Sequence, residues 1–240
     1  MKVNVIVPVK DEADAVAITI PEMVRQLQFV VRNYVVIAVD NGSIDGTREV
    51  LARLPVDKII TEQQSGKPAA VLAGIRHVSD GQFLMVFDGD GQHPVSAIPR
   101  MFALSAEFPD QVIKASRFHP ESPQIGVPED RVVLNRTIRD RLCKITRWDV
   151  SDPQCGLILL PPRIVTWAKN ALSWTSEWEM ELLVRMSHAG MKPPIEFPIE
   201  ARYSGLPGVK QVQKYSEAGR PEREARLSRQ LAFLDILAGE

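Results

Sequence analysis

The sequence predicts an α/β fold, a mostly parallel sheet flanked by helices, and three observations carry that expectation. Short apolar and β-branched runs, nearly unbroken by polar residues, recur along the chain; strands of that kind are buried on both faces, as in parallel sheets. Segments of helical periodicity separate them, so strand and helix alternate. At 240 residues, 45% hydrophobic and 25% charged, the chain is long enough for one large domain with a substantial core.

Residues Val3 to Val9 read as the first strand, followed by a helix that carries Ile18, Met23, Leu27 and Val30 toward one side. Tyr34 to Val39 is the second strand, closed by the turn cluster Asp40-Asn41-Gly42-Ser43, and a helix with Val50, Leu51 and Leu54 follows. The alternation continues through Lys58 to Thr61 (strand), Pro68 to Val78 (helix, with Pro68 in the first turn), Gln82 to Phe87 (strand), Pro94 to Glu107 (helix) and Val112 to Ser116 (strand). Phe118 to Pro128, rich in proline and without periodicity, is expected to be a mobile loop. Glu129 to Arg147 then forms a long helix with Val132, Val133, Ile138, Leu142 and Ile145 on its apolar side. Gly156 to Leu160 is a strand, Thr175 to His188 a helix and Ile195 to Ala201 the last strand. Residues 1–205 are expected to form one catalytic domain, and 206–240 a C-terminal loop with an amphipathic helix, Pro221 to Leu237, suited either to packing on its own domain or to lying at a membrane surface.

Composition excludes several functions. The net charge of -1 supplies no global field for nucleic acid. Cys143 and Cys155 stand in no CxxC spacing, with no histidine near them in sequence, which argues against a disulfide framework or a zinc site and for a reducing compartment. No signal-peptide pattern and no membrane-length apolar stretch is read, so the expected location is cytoplasmic, with a peripheral membrane face as an option. Residues 114–147 hold eight Lys/Arg against four Asp/Glu, a local basic excess that suits a phosphate, an anionic surface or simply water.

The strongest chemical signal is Phe87-Asp88-Gly89-Asp90-Gly91-Gln92-His93-Pro94 at the end of an apolar strand. Alternate side chains of an extended segment share a side, so Asp88, Asp90 and Gln92 offer oxygens together, suited to Mg2+ or Mn2+ with positions left for phosphate and water. A solvated acidic turn is the competing reading, and His93 is either a further ligand or a turn histidine. Asp40 ends a second strand at the same sheet edge, where open α/β sheets bind ligands, and is placed to accept a hydrogen bond from a nucleobase. Ser43, Asp45 and Thr47 are candidate helix caps.

The ordered set Val5-Ile6-Val7-Pro8 with Glu12, Asp40-Asn41-Gly42-Ser43-Ile44-Asp45-Gly46-Thr47, Gly66-Lys67, and Asp88-Gly89-Asp90-Gly91-Gln92-His93-Pro94 resembles the family 2 inverting glycosyltransferases of GT-A fold. Within them it is most similar to the polyprenyl-phosphate sugar synthases typified by dolichol-phosphate mannose synthase. The resemblance implies that Pro8, Glu12 and Asp40 line a nucleotide pocket with Lys67 nearby, and that Asp88, Asp90 and Gln92 hold Mg2+ or Mn2+ on the diphosphate of a GDP- or UDP-linked sugar. It implies that Arg117, Arg131 and Asn135 receive an acceptor phosphate and that Arg202 adds positive charge. Asn41 in place of a second aspartate, Cys155 in place of serine in Ser151-Asp152-Pro153-Gln154-Cys155-Gly156, and the stretch 204–210 depart from the family pattern.

The activity so implied is metal-dependent transfer of a sugar, with inversion, from a nucleotide sugar to a polyprenyl phosphate. Asp90 serves at the diphosphate, and Arg117 and Arg131 at the acceptor. An alcohol acceptor would instead need a general base, for which Asp152 is the candidate. An aspartyl phosphatase is a weaker alternative, since Gln92 stands where that family's loop has Thr or Val; a non-catalytic nucleotide-binding protein is another. The sequence carries no signal for oligomeric state.

Overall fold

A computed structural model of the chain describes residues 1–172, 177–202 and 220–239. The central strand β1 (Lys2–Val9) is buried from Val3 to Val9. It pairs in parallel with β2 (Asn33–Asp40) and β4 (Phe83–Val86), and β3 (Lys58–Thr61) adds to β2. Alternation along β1 divides the core in two. Val3, Val5, Val7 and Val9 meet α1 (Ala13–Val30), α2 (Thr47–Leu51) and α4 (Ala97–Glu107), whereas Ile6 meets α3 (Lys67–Ile75) on the other face. Such two-sided cover is why these strands are apolar throughout.

The second half departs from pure βαβ. The seven-stranded sheet has the order β3-β2-β1-β4-β7-β5-β8, in which β7 (Ile158–Leu160) runs antiparallel between β4 and β5 (Ile113–Ser116), and β8 (Ile195–Pro198) lies parallel to β5. The expected loop 118–128 contains β6 (Gln124–Ile125), which pairs with β9 (Ala201–Arg202) in a small second sheet; backbone pairing rather than apolar pattern orders it. Helix α6 (Pro162–Ala171), which the periodicity does not announce, packs Ile164, Val165 and Ala168 beneath the sheet.

Helix α7 (Trp178–His188) is buried all round its first two turns because it is sandwiched. Trp178, Leu182 and Met186 face the sheet, while Met180, Leu183 and Val184 face α5 (Glu129–Thr146) and α8 (Arg220–Ala238). Leu134, Ile138 and Leu142 of α5 and Leu234 and Leu237 of α8 complete this third cluster, so α8 packs on its own chain. Two expected faces need correction: Val132 and Val133 on α5 are 42% exposed, and Ile18 on α1 is exposed too. The expected 204–210 loop lies outside the described residues, as does the expected start of the helix at 175–176. Among the described residues no helix is long and apolar enough to cross a membrane.

Candidate active site

Strands β1, β2 and β4 end at one edge of the sheet, and the reversed β7 delivers residues 151–157 to it. Val86 of β4 stands opposite Ile158 of β7, and Lys114 of β5 opposite the same residue, so the segments 87–92, 116–117 and 151–157 converge. Past β4 the backbone stays tied to β1: Phe87 N–H donates to the Ile6 carbonyl and Gly89 N–H to that of Pro8. Glycine is needed at 89, because an added Cβ would stand 2.5 Å from Val9 Cγ1. A cavity of about 450 Å3 opens at this edge, lined among others by Pro8, Glu12, Asn41, Gly66, Lys67, Asp88, Asp90, Gln92, Arg117 and Arg131. Gln154, Trp178, Glu179 and Arg226 of α8 also line it. A wider depression of about 700 Å3 beside α6, lined by Gly81, Pro162, Trp167 and neighbours, carries no carboxylate.

The Lys67 ammonium lies 2.8 and 2.9 Å from the two oxygens of Asp88 and 3.1 Å from Glu179 Oε1. Burial works against its charge, but the two carboxylates outweigh that and hold its pKa above the ordinary lysine value. Asp90 Oδ1 accepts the Gln92 N–H at 3.1 Å. Asp88, Asp90 and Gln92 thus set hard oxygen donors along one cavity, a set that fits Mg2+ or Mn2+ completed by phosphate and water. Among the described residues no group of three His, Cys, Asp or Glu could hold a metal by itself. His93 is buried, its Nε2 3.8 Å from Cys155 Sγ and its Nδ1 4.0 Å from Asp88. Burial lowers the imidazole pKa, yet the neighbouring Cys155 and Asp88 raise it on balance. No local pattern signals this Cys-His neighbourhood, which the fold assembles across 62 positions.

Asp152 is fully buried and accepts three hydrogen bonds from Arg117, at 3.0 Å from its backbone N–H, 2.7 Å from Nε and 3.0 Å from a terminal guanidinium nitrogen. Burial pushes its carboxyl up, but Arg117 overrides this and holds it down at about 2. A carboxylate so bound is a poor base, and it does not line the cavity; Asp152 holds Arg117 in place instead. Glu196 of β8 in turn accepts the N–H groups of Ser151 (2.6 Å) and Asp152 (3.2 Å).

Asp40 also differs from expectation. Its carboxylate is buried, accepts the Ser43 N–H at 3.0 Å, and is absent from the cavity lining, where its neighbour Asn41 stands. Asn41 ties the loop before α3 to β2, donating to the carbonyls of Glu62 (3.0 Å) and Gln64 (2.7 Å) and accepting the Gly66 N–H (2.8 Å). An aspartate could not donate to two carbonyls, which gives the departure from the family pattern a physical reason. Ser43, Asp45 and Thr47 accept backbone N–H groups from Asp11, Ala13 and Glu12, so they cap the entry to α1 from a neighbouring loop.

On α5, Asn135 is buried and donates to the Ser151 carbonyl rather than lining the cavity. Arg202 ends β9, and its side chain lies outside the described residues. The basic excess over 114–147 is thinner at the surface than its count suggests. Lys114 is buried and donates to the Cys155 carbonyl, Arg117 is spent on Asp152, and Arg139 and Arg141 pair with Asp149 and Asp235. Glu179, Gln154 and Arg226 are cavity residues to which the sequence reading assigned no role.

The sequence profile of Glycosyl transferase family 2 matches residues 4–158. The chain belongs to that family. Members most similar to it include an undecaprenyl-phosphate 4-deoxy-4-formamido-L-arabinose transferase of Yersinia enterocolitica, 32% identical over 162 residues that cover 65% of this chain and 47% of the relative. A dolichol-phosphate mannosyltransferase of Pyrococcus furiosus is 28% identical over 212 residues, covering 84% of this chain and 58% of that one. The chain therefore spans about half the length of these curated relatives. Glucosyl-3-phosphoglycerate synthase of Mycobacterium tuberculosis, solved with Mn2+, UDP and glucosyl-3-phosphoglycerate, superposes with a TM-score of 0.69 at 16% identity over 99% of this chain and 79% of the other. The family 2 chain shares its GT-A fold.

Proposed function

We propose that this family 2 chain is a metal-dependent inverting glycosyltransferase that moves a sugar from a UDP- or GDP-linked donor to the phosphate of a polyprenyl phosphate. The observation that carries the reading is the single cavity in which Asp88, Asp90, Gln92 and Lys67 meet Arg117 and Arg131. Acidic oxygens suit a divalent cation, and arginines suit a phosphate. Residues 1–205 would be the catalytic domain and 206–240 its appendage, with Arg226 of α8 reaching the cavity. Both relatives are named for transfer to polyprenyl phosphates, which supports a membrane-surface acceptor and a peripheral location.

Pro8, Glu12 and Asn41 would receive the nucleotide, with Asp40 acting through the 41–43 turn. Asp88, Asp90 and Gln92 would hold Mg2+ or Mn2+, which supplies Lewis acidity toward the leaving diphosphate when bound. Lys67 adds positive charge at the same place, and Arg202 is assigned there on sequence grounds. Arg117, oriented by Asp152, and Arg131 would hold the acceptor phosphate behind the anomeric carbon. A phosphate monoester is largely dianionic at neutral pH and needs no strong base, which accords with Asp152 being committed to Arg117.

Transfer to a short polyprenyl phosphate tests the reading. Asp90→Asn is expected to lower it by about 100-fold or more, with loss of Mn2+-dependent UDP binding. Arg131→Ala should raise the acceptor KM while leaving UDP binding unchanged. Full lipid-phosphate transfer by Arg131→Ala together with transfer to free sugars would favour a soluble hydroxyl acceptor.

A further inference from the structure

The position next to Asp88 is taken by a cation of the chain itself. Lys67 Nζ bridges both Asp88 oxygens and Glu179 at 2.8 to 3.1 Å, with Asp88 only 20% and Glu179 only 10% exposed. Gly156 leaves room for this bridge: a Cβ there would stand 2.2 Å from Lys67 Nζ and 2.7 Å from Asp88 Oδ2. An ammonium at hydrogen-bond distance repels a second cation at the same carboxylate strongly in a partly desolvated cavity. A diphosphate carries the opposite charge and attracts both.

We propose that Lys67 is a built-in competitor for the divalent cation: its ammonium holds Asp88 until a nucleoside diphosphate draws it away, with Glu179 as its second anchor, so that metal and nucleotide bind together. This rests on the assignment of Asp88 and Asp90 as metal ligands. Its consequence is a site that takes up little metal without nucleotide. The leaving diphosphate would then weaken the metal's hold as it departs.

The experiment follows the EPR signal of free Mn2+ during titration of the protein with and without UDP, and checks folding of each variant by thermal melting. Wild-type protein should bind Mn2+ alone weakly and with UDP at least about tenfold more tightly. Lys67→Met should bind Mn2+ alone about tenfold more tightly than wild type and lose most of the gain from UDP. Glu179→Gln, which leaves the ammonium with Asp88 alone, should bind Mn2+ alone more weakly than wild type. The inference is overturned if Lys67→Met binds Mn2+ alone no more tightly than wild type, or if Glu179→Gln binds it more tightly. An Asp90→Asn control separates the two levels. If it leaves Mn2+ uptake with UDP intact, the metal assignment falls and the competitor with it. If it abolishes uptake while Lys67→Met changes nothing, only the competitor falls.

Discussion

The Asp152 carboxylate is buried and accepts three hydrogen bonds from Arg117. The sequence offers it as the general base for an alcohol acceptor, a role that needs a free oxygen. What the pattern cannot display is that antiparallel β7 brings it beside the end of β5, where Arg117 occupies it. Its pKa is held at about 2 against an ordinary 3.8. Because the folded value is depressed, the stabilisation is present above the unfolded value and disappears as pH falls from about 4 to about 2, a contribution on the order of 2 kcal/mol. Urea unfolding at a series of pH values should show this loss in the wild type. Asp152→Asn should be less stable at pH 7 by about 3 kcal/mol, as a buried guanidinium loses its partner, and its stability should depend less on pH over that acid range. Asp88, Asp90 and Gln92 do line one cavity, yet not by strand alternation: β4 ends at Val86, and a turn with Gly91 at φ 75° and the Gln92 N–H donated to Asp90 Oδ1 carries them there.

Elements were legible where one periodicity spanned a whole segment. The strands Lys58–Thr61 and Phe83–Val86 fall within the runs that predict them; Phe83–Val86 is covered on both sheet faces, whereas Lys58–Thr61 lies at the sheet edge with both ends exposed. Helix faces were less so. On α5 the buried row is Leu134, Ile138 and Leu142, a strict i, i+4 series, and the adjacent Val132 and Val133 fall off that row and stay exposed. The pairing of β6 with β9 involves two residues each and rests on backbone groups, which leave no mark on side-chain pattern. Helix α8 is held by Leu234 and Leu237 against α5 and α7. Leu234→Ala should therefore cost about 2 to 4 kcal/mol. Amide hydrogen exchange should locate the loosening in α8 and its contacts, with the protection of β1 and β4 unchanged.

For the molecule as a whole, the alternating strand-helix order and the ligand edge of the sheet follow from the sequence, whereas the reversed strand does not, since periodicity carries no direction. If the cavity binds a nucleoside diphosphate with a divalent cation, UDP plus Mn2+ should raise the melting temperature, by the equivalent of about 2.7 kcal/mol at a hundredfold excess over Kd, and UDP alone should raise it less. The position of β7 also governs the timing of folding. Its neighbours β4 and β5 are made first, yet they do not pair with each other; the slot between them is filled only when residues 158–160 have been synthesised. On the ribosome, the first four strands can associate as they emerge, while β5 must wait, its edges unpaired, for a strand still to be translated. Assembly of the cavity edge is thus postponed to a late, non-local step, and until then β5 presents unpaired backbone on both sides.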